Sequence, residues 1–326
     1  MKRVLIGNTT FASTAPEALE MLEQAGYEVV ANPYGKPLNE DQLLELIGDF
    51  DAIVSGFNQI TARVLERADR LKVIAQHGIG VDSIDVAAAS HRGVVVSTAV
   101  GTNENAVADL TFGLMLSLTR SIPAAHSLVI GGSWSVITGG EVWGKTLGIV
   151  GLGRIGRAVT RRAQGFEMNV LAYARSSDEE FVKEHGISLV TMEELLSQSD
   201  FVTLHVPLKE NTRHLIGAEE LALMRPDSFL INTARGGLLD ENAVFHALAE
   251  KRIAGAALDC FSSEPPTGSR LLGLNNLIAT PHMGAFTREA LGRTSISCAQ
   301  SILDVLGGRR PQFVVNREVL SQLCLR

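Results

Sequence analysis

The chain has 326 residues, enough for about two domains of ordinary size. Its 29 Lys and Arg stand against 36 Asp and Glu, a formal charge of −7 that excludes the basic footprint of a nucleic-acid binder. With 45% hydrophobic and 20% charged residues it is neither disordered nor fibrous. No apolar run reaches the ~18 residues of a membrane span, and the run at 4–6 is too short for a secretory core, so the chain is expected to work in the cytoplasm without a membrane partner. Cys260, Cys298 and Cys324 are odd in number and lack C-x-x-C spacing, which indicates neither a disulfide framework nor a cysteine zinc site and suits a reducing compartment.

Short Val-, Ile- and Leu-rich runs at 4–6, 29–30, 52–54 and 73–75 are each followed by helical periodicity. That alternation predicts a parallel sheet covered by helices on both faces. Asn39, with Gln42 three positions on, reads as a capping box opening a helix. Residues 106–130 read as one long apolar helix interrupted by Pro123, either an interdomain connector partly covered by a second subunit or a core helix. Residues 131–145 are a glycine-rich loop. A second series of strands is expected at 146–150, 169–172, 201–204, 229–232, 254–258 and 277–279, with a closing helix over 287–306. The pairs Arg161–Arg162 and Arg309–Arg310 read as solvated surface.

GLGRIG at 151–156 has the G-x-G-x-x-G spacing in the context that gives it meaning, after the strand-like TLGIV and at the start of a helical run. Gly151 allows the tight turn, Gly153 lets backbone approach a pyrophosphate, and Gly156 lets helix pack on strand, with the N–H groups beside Arg154 and Ile155 facing the anion. About 20 residues on, where an acidic side chain would hold the ribose of NAD(H), the chain has Arg175 and Ser176. A guanidinium and a hydroxyl there suit a 2′-phosphate, so NADP(H) is the expected cofactor; Asp178 taking the ribose of NAD(H) is the alternative.

Arg235, Glu264 and His282 each follow a predicted strand, at the sheet edge where open α/β sheets bind ligands. Arg235 can grip a carboxylate and polarise an adjacent carbonyl, His282 can move a hydroxyl proton, and Glu264 can orient the imidazole. His77 is the rival acid–base candidate, with a substrate-orienting or structural role preferred. His205 is expected to shape the cofactor loop. His91, His126, His185, His214 and His246 fit helix faces or loops, and no H-x-x-x-H spacing points to metal.

GIGVDSID (78–85), NAVADLTFGLMLSLTR (105–120), GKTLGIVGLGRIGR (144–157), LHVPLKENTRHLI (204–216), INTARGGLLDE (231–241), AGAALDCFSSEPP (254–266) and ATPHMGA (279–285) together resemble the D-isomer-specific 2-hydroxyacid dehydrogenases, particularly their phosphoglycerate dehydrogenase branch. The resemblance implies an α/β fold with two doubly wound, Rossmann-like domains. The cofactor domain, 100–285, is inserted in a substrate domain of 1–99 plus 286–326. It further implies a homodimer, the catalytic trio Arg235, Glu264 and His282, and a substrate site at His77, Gly78, Ile79, Gly80 and Arg235. His205, Pro207, Thr212, Thr233, Ala234, Asp259 and Gly284 are implied around the cofactor.

The chain departs from phosphoglycerate dehydrogenases at Ser55 and Gln76, where they usually carry arginines, and after Trp134, where it reads Ser135, Val136 and Ile137. Unless Arg270, Arg288 or another chain compensates, an unphosphorylated 2-keto acid such as glyoxylate or hydroxypyruvate is the expected substrate. The alternatives are an NAD-dependent D-3-phosphoglycerate dehydrogenase and, from another class, a nucleotide-sensing binding protein of the corepressor kind. Formate dehydrogenase activity is disfavoured by Glu264, and feedback through a further C-terminal regulatory domain is not expected.

Overall fold

The structure is a computed structural model and describes residues 1–321, so Cys324 lies outside the described residues. The chain divides into two compact units, Met1–Asn103 with the segment from Ala285 onward, and Glu104–Gly284.

The first unit is built on five parallel strands: β1 (Arg3–Ile6), β2 (Glu28–Ala31), β3 (Ala52–Ser55), β4 (Val73–Gln76) and β5 (Val95–Thr98), in the order β2-β1-β3-β4-β5. The period of two along each strand sends alternate residues to opposite faces. Val4, Ala52, Val54, Val73 and Ala75 pack with Ala299, Ile302 and Val305 of the helix Arg288–Leu306. Leu5, Ile53, Ile74 and Val96 pack with Leu43, Ile47, Val64 and Leu65 on the other face. The capping box at Asn39 is present, with Gln42 N–H donating to Asn39 Oδ1 at 3.0 Å and Asn39 N–H to Gln42 Oε1 at 3.1 Å. Strand β5 was not among the predicted runs, because the chain passes from it into the other unit and the strand-then-helix pattern ends there.

The second unit carries seven parallel strands: β6 (Thr146–Val150), β7 (Asn169–Tyr173), β8 (Ser188–Leu189), β9 (Phe201–Leu204), β10 (Phe229–Asn232), β11 (Gly255–Leu258) and β12 (Leu277–Ala279). Their order, β12-β11-β10-β9-β6-β7-β8, means that the chain runs outward from β6 through β8 and then returns to β9 on the other side. Winding reverses between β6 and β9, and doubly wound sheets bind ligands outside the carboxyl ends of the strands at that point.

The expected single helix over 106–130 is two helices, Glu104–Thr119 and Ile122–Ile130. Ser121 takes a left-handed conformation at φ +50° between them, and Pro123 sits in the first turn of the second, where its missing N–H costs nothing. The first helix buries Val107, Ala108, Thr111, Phe112 and Met115 within its own unit. The second buries none of its residues. The reading of this pair as solvated surface holds for Arg161, which is exposed, and is corrected for Arg162, which is half-buried. Arg162 reaches across to the first helix, 2.7 Å from Asp109 Oδ1 and 3.2 Å from the Asn105 carbonyl, and the Arg161 guanidinium stands over the Phe181 ring.

Candidate active site

Three loops at the carboxyl ends of β10, β11 and β12 carry the groups singled out in the sequence. After β10 the buried Asn232 side chain ties its own turn, donating from Nδ2 to the Arg235 carbonyl at 2.8 Å and accepting the Ala234 N–H at 3.0 Å. Arg235 Nη1 donates to the Ala234 carbonyl at 2.7 Å. A Cβ on Gly236 would lie 1.9 Å from the Phe261 carbonyl carbon, so only glycine lets this turn run against the backbone of the next loop.

The loop after β11 begins with Asp259, which is 1% exposed. Its carboxylate accepts from Thr280 Oγ1 at 2.6 Å, Met283 N–H at 2.9 Å and Gly284 N–H at 2.8 Å, and so holds the loop after β12. Within that loop His282 has φ +52°, a conformation that costs a non-glycine residue on the order of 1 kcal/mol and persists because its surroundings fix it. The imidazole Nδ1 stands 2.8 Å from Glu264 Oε2 and 3.1 Å from Oε1. Partial burial works against the charge on Glu264, but hydrogen bonds from His282 and from the Phe261 N–H at 3.0 Å outweigh it, with Arg235 nearby, and leave the carboxyl below its ordinary range. An ionised carboxylate only accepts, so Nδ1 carries hydrogen toward it.

The glycine turn follows β6 at the reversal of winding. Gly151 has φ +102°, and a Cβ there would meet the His205 carbonyl oxygen at 2.7 Å; at Gly156 it would lie 2.1 Å from the Gly151 oxygen. At Gly153, which is exposed, a Cβ would meet nothing within 4 Å. Gly153 also caps the helix Arg154–Gly165 without a side-chain hydrogen bond, leaving its first N–H groups for an anion beside the exposed Arg154 and half-buried Ile155. These residues fit a dinucleotide pyrophosphate. Arg175 and Ser176 are exposed just beyond β7. Asp178 is committed elsewhere, capping the Phe181 N–H at 3.2 Å and pairing with Arg157 at 3.0 Å.

Around this turn, the His205 N–H donates to the Val150 carbonyl and its Nε2 lies 3.0 Å from Thr203 Oγ1. Burial drives the His205 imidazole down to about 3, so it stays neutral and shapes the turn. Thr212 Oγ1 donates to the Pro207 carbonyl at 2.8 Å, and the buried Thr233 shares a 3.2 Å contact with Thr111. Ala234 is half-buried and Gly284 buried.

In the other unit His77 follows β4, with Nε2 2.9 Å from Ser295 Oγ, and burial lowers its imidazole to about 4. The Gly78 N–H donates to the Gln76 carbonyl and its own carbonyl accepts from the Ala99 N–H, while Ile79 is exposed and Gly80 half-buried. Ser55 and Gln76 are paired across β3 and β4 and both are buried, a neutral pair where an anion site would carry cations. Arg270, a possible substitute, stacks on Phe245 at 3.8 Å. Sequence reasoning missed Asn232 as the brace of the arginine turn and the loop-holding role of Asp259. A polar residue ending an otherwise apolar buried strand was the available signal for Asn232.

Residues 112–284 match the family model described as D-isomer specific 2-hydroxyacid dehydrogenase, NAD binding domain. The chain is 44% identical over 311 residues, 94% of its length, to a D-3-phosphoglycerate dehydrogenase of Methanocaldococcus jannaschii, and spans 58% of that longer protein. It is 41% identical over 289 residues to a glyoxylate reductase of Thermococcus litoralis, covering 86% of this chain and 87% of that one. Among solved structures, a protein from Thermus thermophilus matches with a TM-score of 0.87 at 35% identity, over 96% of this chain and 99% of that one. A doubly wound sheet, a glycine turn at its reversal and a histidine–carboxylate pair on neighbouring loops define a nucleotide-dependent oxidoreductase. The chain belongs to the D-isomer-specific 2-hydroxyacid dehydrogenase family.

Proposed function

We propose that this protein is an NADPH-preferring reductase of small unphosphorylated 2-keto acids of the glyoxylate and hydroxypyruvate type, acting in reverse as a D-2-hydroxyacid dehydrogenase. The observation that carries the reading is the contact between His282 Nδ1 and Glu264, which sets the ring beside a carboxylate able to stabilise its charged form. When bound, the reduced nicotinamide supplies the hydride that reaches the keto carbon. Arg235 holds the substrate carboxylate through its planar fork and polarises the carbonyl. His282 Nε2 delivers the proton to the carbonyl oxygen, and Glu264 stabilises the imidazolium that precedes delivery. In the oxidative direction Nε2 takes the hydroxyl proton. Gly151, Gly153 and Gly156 with the following helix hold the pyrophosphate, and Ile79 and Gly80 contribute N–H groups to the substrate.

Arg175 and Ser176 support NADPH, because Asp178, the acidic group available to a ribose, is engaged by Arg157 and by its own helix. The neutral Ser55–Gln76 pair supports an unphosphorylated substrate over 3-phosphoglycerate, although the Methanocaldococcus relative is named for the latter. A second copy of the chain is the proposed partner. The helix Ile122–Ile130 leaves Ile122, Val129 and Ile130 exposed, and Trp134, Val136 and Trp143 in the following loop are exposed as well, a patch that suits a homodimer interface. Sedimentation of the protein, and of an Ile130→Asp variant, tests that partner. Steady-state assays of glyoxylate, hydroxypyruvate and 3-phosphohydroxypyruvate with NADPH and NADH test the activity. Preference for the phosphorylated acid would favour the phosphoglycerate reading, and cofactor binding without turnover would favour a sensor.

A further inference from the structure

Donor atoms of Cys260, Glu264 and His282 all lie within 4.8 Å of one another. A sulfur, an oxygen and an imidazole nitrogen form a zinc-type donor set, and tetrahedral bonds of about 2.0–2.3 Å would hold such donors roughly 3.3–3.7 Å apart. Small side-chain rotations therefore close the set. Cys260 is 1% exposed and forms the floor, whereas Glu264 and His282 are partly open, so an ion enters from their side and keeps water as its fourth ligand. Burial, with Asp259 immediately before the cysteine and Glu264 beside it, pushes the Cys260 thiol up against the opposing charge of Arg235, so the thiol keeps its proton until a cation displaces it. The proton-transfer cycle makes no use of the thiol.

We propose that Cys260, Glu264 and His282 form a binding site for a thiophilic divalent cation, Zn²⁺ or Cd²⁺, whose occupation switches the enzyme off; the inhibition rests on the acid–base role proposed for His282. On binding, the thiol proton leaves to solvent, a metal–sulfur bond forms, and the hydrogen on Nδ1 moves to Nε2 as the metal takes its place. No electron is transferred. With metal on Nδ1, Nε2 becomes a fixed N–H. It cannot accept the hydroxyl proton, and it cannot donate without becoming an imidazolate. Glu264 is drawn from the ring to the cation, and both directions of reaction stop.

The test uses the whole protein, freed of metal with a chelator and titrated with cadmium and zinc chlorides. Wild type is expected to show a stoichiometric thiolate-to-cadmium ultraviolet band and a loss of turnover to zinc that a chelator reverses. Cys260→Ala and the bulkier Cys260→Val are expected to retain turnover, to lack the band, and to need at least about 100-fold more zinc for the same inhibition, since even indirect support of a metal ligand is worth 10–100-fold in affinity. Absence of the band in wild type, or variants as zinc-sensitive as wild type, overturns the site. A stoichiometric band with unchanged turnover would retain the site and overturn the switch, together with the role proposed for His282. The band requires no turnover, so its result stands apart from that of the proposed activity.

Discussion

Asp259 Oδ1 accepts the backbone N–H of Met283 at 2.9 Å, one residue beyond His282. The proposed acid–base residue is thus aimed by a buried carboxylate on a different loop. Asp259→Asn replaces one accepting oxygen by an N–H₂ group facing backbone donors. It is expected to cost about 1–3 kcal/mol of stability and to lower kcat more than cofactor affinity. Denaturant unfolding and steady-state kinetics on the same preparation check both.

His282→Asn is expected to lower turnover by at least ~100-fold, the lower end of what a positioned acid or base contributes. Cofactor affinity, measured by fluorescence titration, is expected to survive. Full turnover in this variant would remove His282 from the mechanism.

Glu264 is held below the ordinary carboxylate range of about 4.3. A carboxyl lowered in the fold contributes stabilisation that is complete above its unfolded value and is lost as pH falls through the lower folded value. Wild-type turnover is expected to show an acid limb that lies below the ordinary carboxylate range. Glu264→Gln is expected to be slower throughout and to lack that limb, read from the pH profile after brief exposure.

His77 behaves in the opposite chemical sense. Burial lowers it from 6.5 to about 4, so the native state holds it neutral while the unfolded chain takes up a proton. Stability is expected to fall by about 2 kcal/mol from this residue between pH ~7 and pH ~5. His77→Gln should flatten that dependence in denaturant titrations, and an unchanged slope would refute the neutral, buried assignment.

The second and third glycines of the turn separate folding from binding. Gly156→Ala places a methyl against the Gly151 oxygen and is expected to destabilise the second unit. Gly153→Ala meets open space and is expected to fold normally while weakening the cofactor. Arg175→Asp, in turn, is expected to reduce NADPH preference by about 10–150-fold, the equivalent of one charge-assisted hydrogen bond. Ratios of kcat/KM for the two cofactors check it.

Strands such as Phe201–Leu204 and Phe229–Asn232 were legible because buried parallel strands are short apolar runs bounded by turn residues. The two-residue Ser188–Leu189 strand is exposed and carries no such signature. Pro123 was read as an interruption, although proline is equally at home in a first helical turn, and only the left-handed Ser121 distinguishes the two. The histidine, glutamate and arginine were visible by chemistry and position after strands. The brace beneath them was not, because Asp259 bonds to backbone 24 residues further on, a relation that no local spacing records.

The absence of room for a single methyl between Gly236 and Phe261 also bears on redesign. The arginine turn and the loop bearing the glutamate share a seam of main chain, so a change in the length or course of one displaces the other. Efforts to alter substrate preference are better directed to the walls that face the variable end of the acid, with this seam left intact.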